Sequence, residues 1–326
     1  MVKLYQLYLK GSYLSEIPHI PVLLSQTLES FATIKEGTII DCTLGYGGHS
    51  EALLKRYPQI NIIGIDRDQT AIDFATKRLA SFGDRFQTIK GDFASSFKKA
   101  LVLVGVDKVK GVLADIGVSS LQLDQADRGF GFQSEVLDMR MDQNASKSAY
   151  EVVNEYSHEK LMKIFYEYGE IPYGKDLAQK IIDKRSIAPI CSAKELSELA
   201  MSFRGNKKIH PATLMFQAIR IEVNDELGQL ESVLDSIENS NLQECIVSII
   251  TFHSLEDRIV KQRFKSWTQS CICPHDAMRC TCGNDHEKGK MLNKKPLSAD
   301  DKELKDNPRS RSAKLRSFLF GTKSAF

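Results

Sequence analysis

The chain has 326 residues, of which 42% are hydrophobic and 26% charged; it can bury one large core or two smaller ones, and this composition excludes a disordered chain. The formal charge of +2 hides an asymmetry, because from Leu255 onward 16 Lys/Arg stand against 9 Asp/Glu; a basic tail can follow a polyanionic partner, though a charge run is more often an ordinary solvated face. Met1 to Pro18 holds no continuous apolar run, so neither a signal peptide nor a membrane anchor is expected, and in the expected cytoplasmic location seven cysteines read as thiols or metal ligands rather than disulfides.

In chain order, His19 to Leu24 leads into a segment from Ser25 to Phe31 with the pattern of an amphipathic helix capped by Ser25, placed to cover the loop that follows. Thr38 to Asp41 is an apolar run ending in a carboxylate, followed by the glycine-rich stretch Leu44-Gly45-Tyr46-Gly47-Gly48-His49-Ser50 and helix-forming residues from Glu51 to Arg56. This reads as strand, loop and helix. In a parallel sheet such a loop lies at the carboxyl edge, where glycines admit a ligand to the backbone and a helix start offers free N–H groups; a sharp turn needs the same glycines for steric reasons alone. Gln59 to Asp66 is a second strand ending in an acid, at the place of a carboxylate that grips a ribose diol. Gln69 to Phe82 reads as a helix, Phe86 to Ile89 as a third strand, and Phe93 sits where an adenine would stack or where a core aromatic would end a strand. Val109 to Asp115 is a fourth strand, again ending in an acid. Asp41 lies four residues before Gly45, where it would repel a pyrophosphate; this disfavours a nicotinamide site and suits a cofactor with a positive end and no phosphate, as in the class I methyltransferases that use S-adenosylmethionine.

From Asp127 the α/β alternation stops. Arg128-Gly129-Phe130-Gly131-Phe132 and Leu137-Asp138-Met139-Arg140-Met141-Asp142 are irregular, and helices are expected over Tyr150 to Tyr168, Lys175 to Lys184, Ala193 to Phe203 and Thr213 to Ile237. Glu244 to Phe252 resumes the strand pattern, and Ser310 to Phe320 is a candidate last strand. The expected organisation is a discontinuous methyltransferase domain, 1–126 and 237–326, interrupted by an all-α insertion over 127–236.

The strings HIPVLL, DCTLGYGGHS, IDRD, ADIGVSSLQLD, RGFGF, LDMRMD, HPATLMFQAIRIEVNDEL, FHSLEDRIVK and NPRSRSAKLR occur in that order between His19 and Arg316. The chain resembles the bacterial ribosomal RNA small subunit methyltransferase H family, also called MraW. The resemblance implies an α/β class I (Rossmann-like) fold with a helical substrate-recognition insertion. It also implies transfer of a methyl group from S-adenosylmethionine to the N4 amine of one cytidine in the decoding region of 16S rRNA, within the small ribosomal subunit. Neither DNA nor a membrane is expected as a partner, and a homodimer is allowed. Carried over by motif, the cofactor contacts are Gly47, Gly48, His49, Asp66, Phe93, Asp115 and Gln122. Gly131 stands where the family has Ser, and Glu135-Val136 where it has Gly-Pro; these departures touch only the insertion.

The cytosine amine is a weak nucleophile because its lone pair is delocalised into the ring, whereas the sulfonium already activates the methyl group. The enzyme must therefore align the partners and polarise the amine, and Asp115 is the catalytic candidate. The Pro-Pro-aromatic motif common after such an acid in amino-methyltransferases is absent, so a purely cofactor-binding role for Asp115 is the competing reading. On the substrate side, Phe130 or Phe132 could stack an unstacked base and Arg128 or Arg140 meet a phosphate, or all four could pack between the two parts of the chain. His253 could face the site or be buried against Glu256 or Asp257. Cys271, Cys273, Cys280 and Cys282 fit a structural zinc site, although C-x-C pairs are tighter than the usual ligand spacing, and a loop of reduced cysteines is the plainer reading. An RNA-binding ribosome-assembly factor with little or no catalysis stays open as the alternative function.

Overall fold

The apolar runs that end in Asp41, Asp66 and Asp115 lie in one sheet. The computed structural model describes residues 20–118, 125–203, 210, 212–274, 276–277 and 279–321. Strands β1 (Gly37–Asp41), β2 (Ile60–Asp66), β3 (Phe86–Lys90), β4 (Val109–Asp115), β5 (Ile246–Thr251), β6 (Gly289–Met291) and β7 (Lys314–Phe320) form a seven-stranded sheet of order β3-β2-β1-β4-β5-β7-β6. The first five are parallel, and β7 runs antiparallel between β5 and β6. Successive residues leave opposite faces of such a sheet, so Ile39, Ile62 and Leu113 enter one apolar layer while Ile40, Ile63 and Val112 enter the other. The first layer is closed by helix α2 (Gly48–Arg56) through Leu53 and Leu54, with Phe31 from behind α1 (Leu24–Ser30); the second is closed by α4 (Phe93–Val104) through Phe97 and Leu101. Between β2 and β3 runs α3 (Gln69–Arg78), with Asp68 as its N-cap.

The register sets the functional edge. Asp41 is opposite Gly64 on one side and Leu113 on the other, and Asp115 is opposite Ile250. The chain leaves β1 toward β2 and β3 and then returns to β4 on the other side, so β1 and β4 flank the topological switch point, where open α/β sheets bind their ligands.

After β4 the chain enters a second apolar cluster built from α5 (Ala149–Glu155), α6 (His158–Glu167), α7 (Gly174–Ile187), α8 (Ala193–Ala200) and α9 (Ala212–Asn224). Phe165, Leu177, Ile181, Leu196, Met215 and Ile219 fill it. The next helix, α10 (Glu226–Glu238), instead places Leu230, Val233, Leu234 and Ile237 in the sheet layer. The apolar face of this helix thus belongs to the sheet layer. Helix α11 (Ser254–Trp267) follows β5, and α12 (Asp301–Asp306) precedes β7. Among the described residues, no helix is long and apolar enough to cross a membrane.

Several expected boundaries shift for local reasons. Ser25 does not cap α1; the N-cap is Leu23, with left-handed φ of 52° and no side-chain cap. The span from Tyr150 to Tyr168 is two helices, because Ser157 accepts the Lys160 N–H and starts α6. The span from Thr213 to Ile237 breaks at Asp225, whose φ is 49°. The helix expected to run to Phe82 ends at Arg78, and Pro308 to Ser312 form a 3-10 turn, so the last strand starts at Lys314.

Candidate active site

The three acids at the strand ends hold the glycine loop between them. Asp41 is buried; its Oδ2 accepts the Ser50 hydroxyl at 2.7 Å and its Oδ1 the Thr43 N–H at 3.2 Å, tying the end of β1 to the start of α2. Burial raises its pKa to about 6, against the lowering influence of the Ser50 hydroxyl, His49 and the Thr43 N–H, while Asp115 adds to the rise. Asp66 accepts the Gly45 N–H at 2.8 Å through Oδ2 and the Asp68 N–H at 2.9 Å through Oδ1. Burial holds its carboxyl above the usual range although both N–H groups favour the charged form. The N–H of Asp115 donates to Thr43 Oγ1 at 2.6 Å, which joins β4 to the same loop.

The glycines of this loop differ in what they admit. Gly47 is the N-cap of α2 at φ 73°, and a Cβ there would press on Leu79; a Cβ on Gly48 would lie 2.5 Å from Pro21 Cγ. Both are required by packing. A Cβ on Gly45 would meet nothing within 4 Å among the described residues, so the space beside this residue, next to the Asp66 carboxylate, is open there. His49 is buried in the first turn of α2 with Nε2 3.4 Å from Asp115 Oδ2. Both ring nitrogens and Asp115 Oδ1 are buried without a hydrogen-bond partner among the described residues. Unpaired polar atoms at this depth are costly, and here they converge beside open backbone. Phe93 opens α4, with the Arg67 guanidinium 5.6 Å from its ring centroid and covering one face. Gln122 lies outside the described residues.

The substrate-side candidates separate into two kinds. Arg128 is 6% exposed and points inward: it approaches Asp68 Oδ2 at 3.3 Å and donates to the carbonyls of Arg140 at 3.0 Å and Met141 at 3.2 Å. Phe130 is buried in the helical cluster. His253 is the N-cap of α11 in a capping box, its Nδ1 accepting the Glu256 N–H at 3.5 Å and Glu256 Oε2 the His253 N–H at 3.3 Å, while Nε2 lies 3.0 Å from Glu256 Oε1, the buried alternative named above. By contrast Arg140 and Phe132 are half-buried. Arg140 is held by Asp138 at 2.9 and 2.7 Å and by the Ala145 carbonyl at 2.7 Å. Phe132 stacks on exposed His210, centroids 4.5 Å apart and planes at 16°, with Phe216 edge-on at 4.8 Å.

Two residues not singled out in the sequence complete the frame. Asn224, at the end of α9, accepts the Met141 N–H at 2.8 Å and donates to the Met139 carbonyl at 2.8 Å, clamping the irregular loop that carries Arg140. Arg220 pairs with buried Glu226 at 2.8 and 2.9 Å across the junction of α9 and α10. The signal for both lay in a polar residue recurring on an otherwise apolar helix face. The four cysteines lie in the loop between α11 and β6, away from these acids.

Nothing in the glycine loop is built for a phosphate, since carboxylates close it from two sides. With three acids at the carboxyl ends of parallel strands, a glycine loop between them and β7 antiparallel between β5 and β6, this is the arrangement of the class I methyltransferases that use S-adenosylmethionine.

The chain belongs to the MraW methylase family, whose model matches residues 16–320. It is 57% identical over 310 residues to the ribosomal RNA small subunit methyltransferase H of a Sulfurovum species, covering 95% of this chain and 100% of that protein. To the protein of the same name from a Nitratiruptor species it is 59% identical over 304 residues, covering 93% and 98%. Among solved structures, a putative rRNA-methylase from Clostridium thermocellum aligns over 93% of this chain and 99% of its own at 12% identity with a TM-score of 0.38, too distant to bear on function.

Proposed function

We propose that this protein transfers the methyl group of S-adenosylmethionine to the exocyclic N4 amine of a cytidine in the decoding region of small-subunit rRNA. The names of the similar proteins support small-subunit rRNA as the substrate. The observation that carries the reaction type is Asp115, whose Oδ1 is buried and unpaired among the described residues at the switch point of the sheet. An amino group placed there donates an N–H to this oxygen, which localises the nitrogen lone pair that attacks the methyl carbon. His49, 3.4 Å from the other oxygen, orients the carboxylate. The bound cofactor supplies the electrophilic methyl group. Asp66 holds the ribose, Gly45, Gly47 and Gly48 set the backbone beneath it, and Phe93 offers its ring to the adenine.

Residues from Asp127 to Asp225 form the substrate-recognition part of this proposal, with α10 assigned to the methyltransferase part because its apolar face lies in the sheet layer. A base drawn out of folded RNA stacks on the Phe132–His210 pair while Arg140 meets phosphate, and Arg128, Phe130 and His253 hold the rim in place. The location assigned is the cytoplasm. The test is mass spectrometry of 16S rRNA from cells with and without this chain, followed by methylation of small subunits by the purified protein. An N4-methylcytidine that depends on the chain is expected; an unchanged modification profile would overturn the assignment.

A further inference from the structure

The segment from Thr268 to Lys288 joins α11 to β6 without a helix or strand among its described residues. Connections of this length seldom hold one conformation without their own core. This one has little: Cys271 and Cys280 are exposed, and Ile272, its aliphatic side chain, is 61% exposed. Its ends are fastened, by the Lys288 N–H to the Trp267 carbonyl at 2.8 Å and the His286 N–H to the Ser270 carbonyl at 3.0 Å, but these bonds do not reach the tip.

What converges at the tip is sulfur. Cys271 Sγ lies 3.7 Å from Cys280 Sγ and 3.7 Å from Cys282 Sγ, and Cys280 and Cys282 are 3.6 Å apart. Cys273 completes a set whose four Sγ atoms all lie within 4.8 Å of one another. Four thiolates at the corners of a tetrahedron around zinc, with Zn–S bonds of about 2.3 Å, stand about 3.8 Å apart. Two disulfides would instead draw the sulfurs into pairs at about 2.05 Å, with no reason for a mutual triangle. The surroundings also favour thiolates, since the Ile272 N–H donates to Cys282 Sγ at 3.4 Å and the Thr281 N–H to Cys273 Sγ at 3.3 Å. His286 stands outside this set, its Nε2 donating to the Cys282 carbonyl at 2.8 Å, so among the described residues the ligands offered are all sulfur.

We propose that Cys271, Cys273, Cys280 and Cys282 bind one zinc ion as a structural clip of this loop. The four thiols release their protons to solvent on binding, and with all four positions filled by protein no site is left for a substrate or an activated water. Its place in the fold agrees. Helix α11 starts beyond the carboxyl end of β5 and runs back along it, and Gly289 and Ile246 face neighbouring residues of β7, Phe320 and Leu319; the loop therefore lies at the amino-terminal edge of the parallel strands, opposite Asp41, Asp66 and Asp115. The metal takes the place of an apolar core in a surface loop and takes no part in methyl transfer.

The experiment is metal analysis of the full-length protein, purified reduced and without chelators or a metal-affinity step, together with the variant Cys271→Ser/Cys273→Ser. About one zinc per chain is expected in the parent and less than about 0.1 in the variant. Titration of the folded parent with an organomercurial should release zinc in step with the reaction of four thiols, a reading that does not require the variant to fold. Replacement by cobalt(II) should give the intense thiolate charge-transfer and tetrahedral d–d absorption of an S4 site. S-adenosylmethionine affinity should be unchanged in the variant, while protease cleavage between Thr268 and Lys288 becomes faster. Protein free of metal, or holding one iron instead, would overturn the zinc assignment. Loss of cofactor affinity together with the metal would overturn its role as a clip confined to this loop.

Discussion

Arg128 and Asp68 approach to 3.3 Å across the gap between the loop after β4 and the start of α3, and the same guanidinium holds two carbonyls of the loop that carries Arg140. An arginine with three inward partners joins the start of α3 to the loop that carries Arg140, and this makes the proposed roles of Arg128 and Arg140 separable.

Arg128→Ala takes the guanidinium from Asp68 Oδ2 and from the carbonyls of Arg140 and Met141. It should cost about 3 kcal/mol of stability, read as a lower melting temperature, with cofactor affinity falling as well. Arg140→Ala takes its donor from Asp138 and the Ala145 carbonyl at a half-buried site and should lose less stability than Arg128→Ala, with cofactor affinity close to the parent, while methylation of small subunits drops about tenfold, the cost of one lost phosphate or base contact. Equal loss of stability in the two variants would remove Arg140 from RNA recognition.

Asp66→Ala removes the acceptor of the Gly45 N–H together with the expected acceptor for the ribose. Calorimetry should show S-adenosylmethionine binding weakened by about 1.5–3 kcal/mol. Unchanged affinity would exclude Asp66 from the cofactor site.

Asp115→Asn keeps the volume of the side chain and offers an amide in place of a carboxylate. Single-turnover methylation should slow by about a hundredfold or more while cofactor affinity changes little. A variant with parental rate and weakened binding would make Asp115 a cofactor ligand only.

Asp41 carries a pH signature whose sign follows from its raised pKa of about 6. Between the ordinary aspartate value of 3.8 and about 6 the folded protein holds a proton that the unfolded chain has released, so this group's contribution to stability is largest at low pH and is lost as pH rises through the folded value. In melting curves from pH 4 to 8, Asp41→Asn should lack this component, which amounts to about 3 kcal/mol across the window. Since a positively charged ligand favours the carboxylate, S-adenosylmethionine affinity in the parent should rise through pH 6 and flatten in the variant. Parallel pH profiles for the two proteins would rule out a titrating Asp41.

The sheet was readable from the sequence because a parallel strand buried on both faces leaves a continuous apolar run, and Thr38 to Asp41, Gln59 to Asp66 and Val109 to Asp115 each finish on an acid at its carboxyl end. The helical breaks were less readable. Asp225 takes a left-handed conformation with neither glycine nor proline to announce it, and Ser157 caps α6 inside a run that reads as one helix. The direction in which a side chain points within an irregular loop is set by distant partners: Arg128 is turned inward by Asp68, sixty positions back, and no local pattern distinguishes it from Arg140. The closed capping box of His253 could be suspected from Glu256 three residues later, but its closeness to Glu226, at the start of α10, could not.

β7 follows β6 in the sequence yet lies inside the sheet, between β5 and β6, and brings Phe318 and Phe320 against Trp267. A polypeptide still emerging during translation holds those residues back, so until Lys314 to Phe320 are free of the ribosome the slot beside β5 stays open and the edge of that strand is bare. The sheet is therefore completed only after every other strand has been made. A nascent chain cannot finish its own core early, and a transcript truncated before this segment yields a protein with an unfilled seam instead of a shortened enzyme.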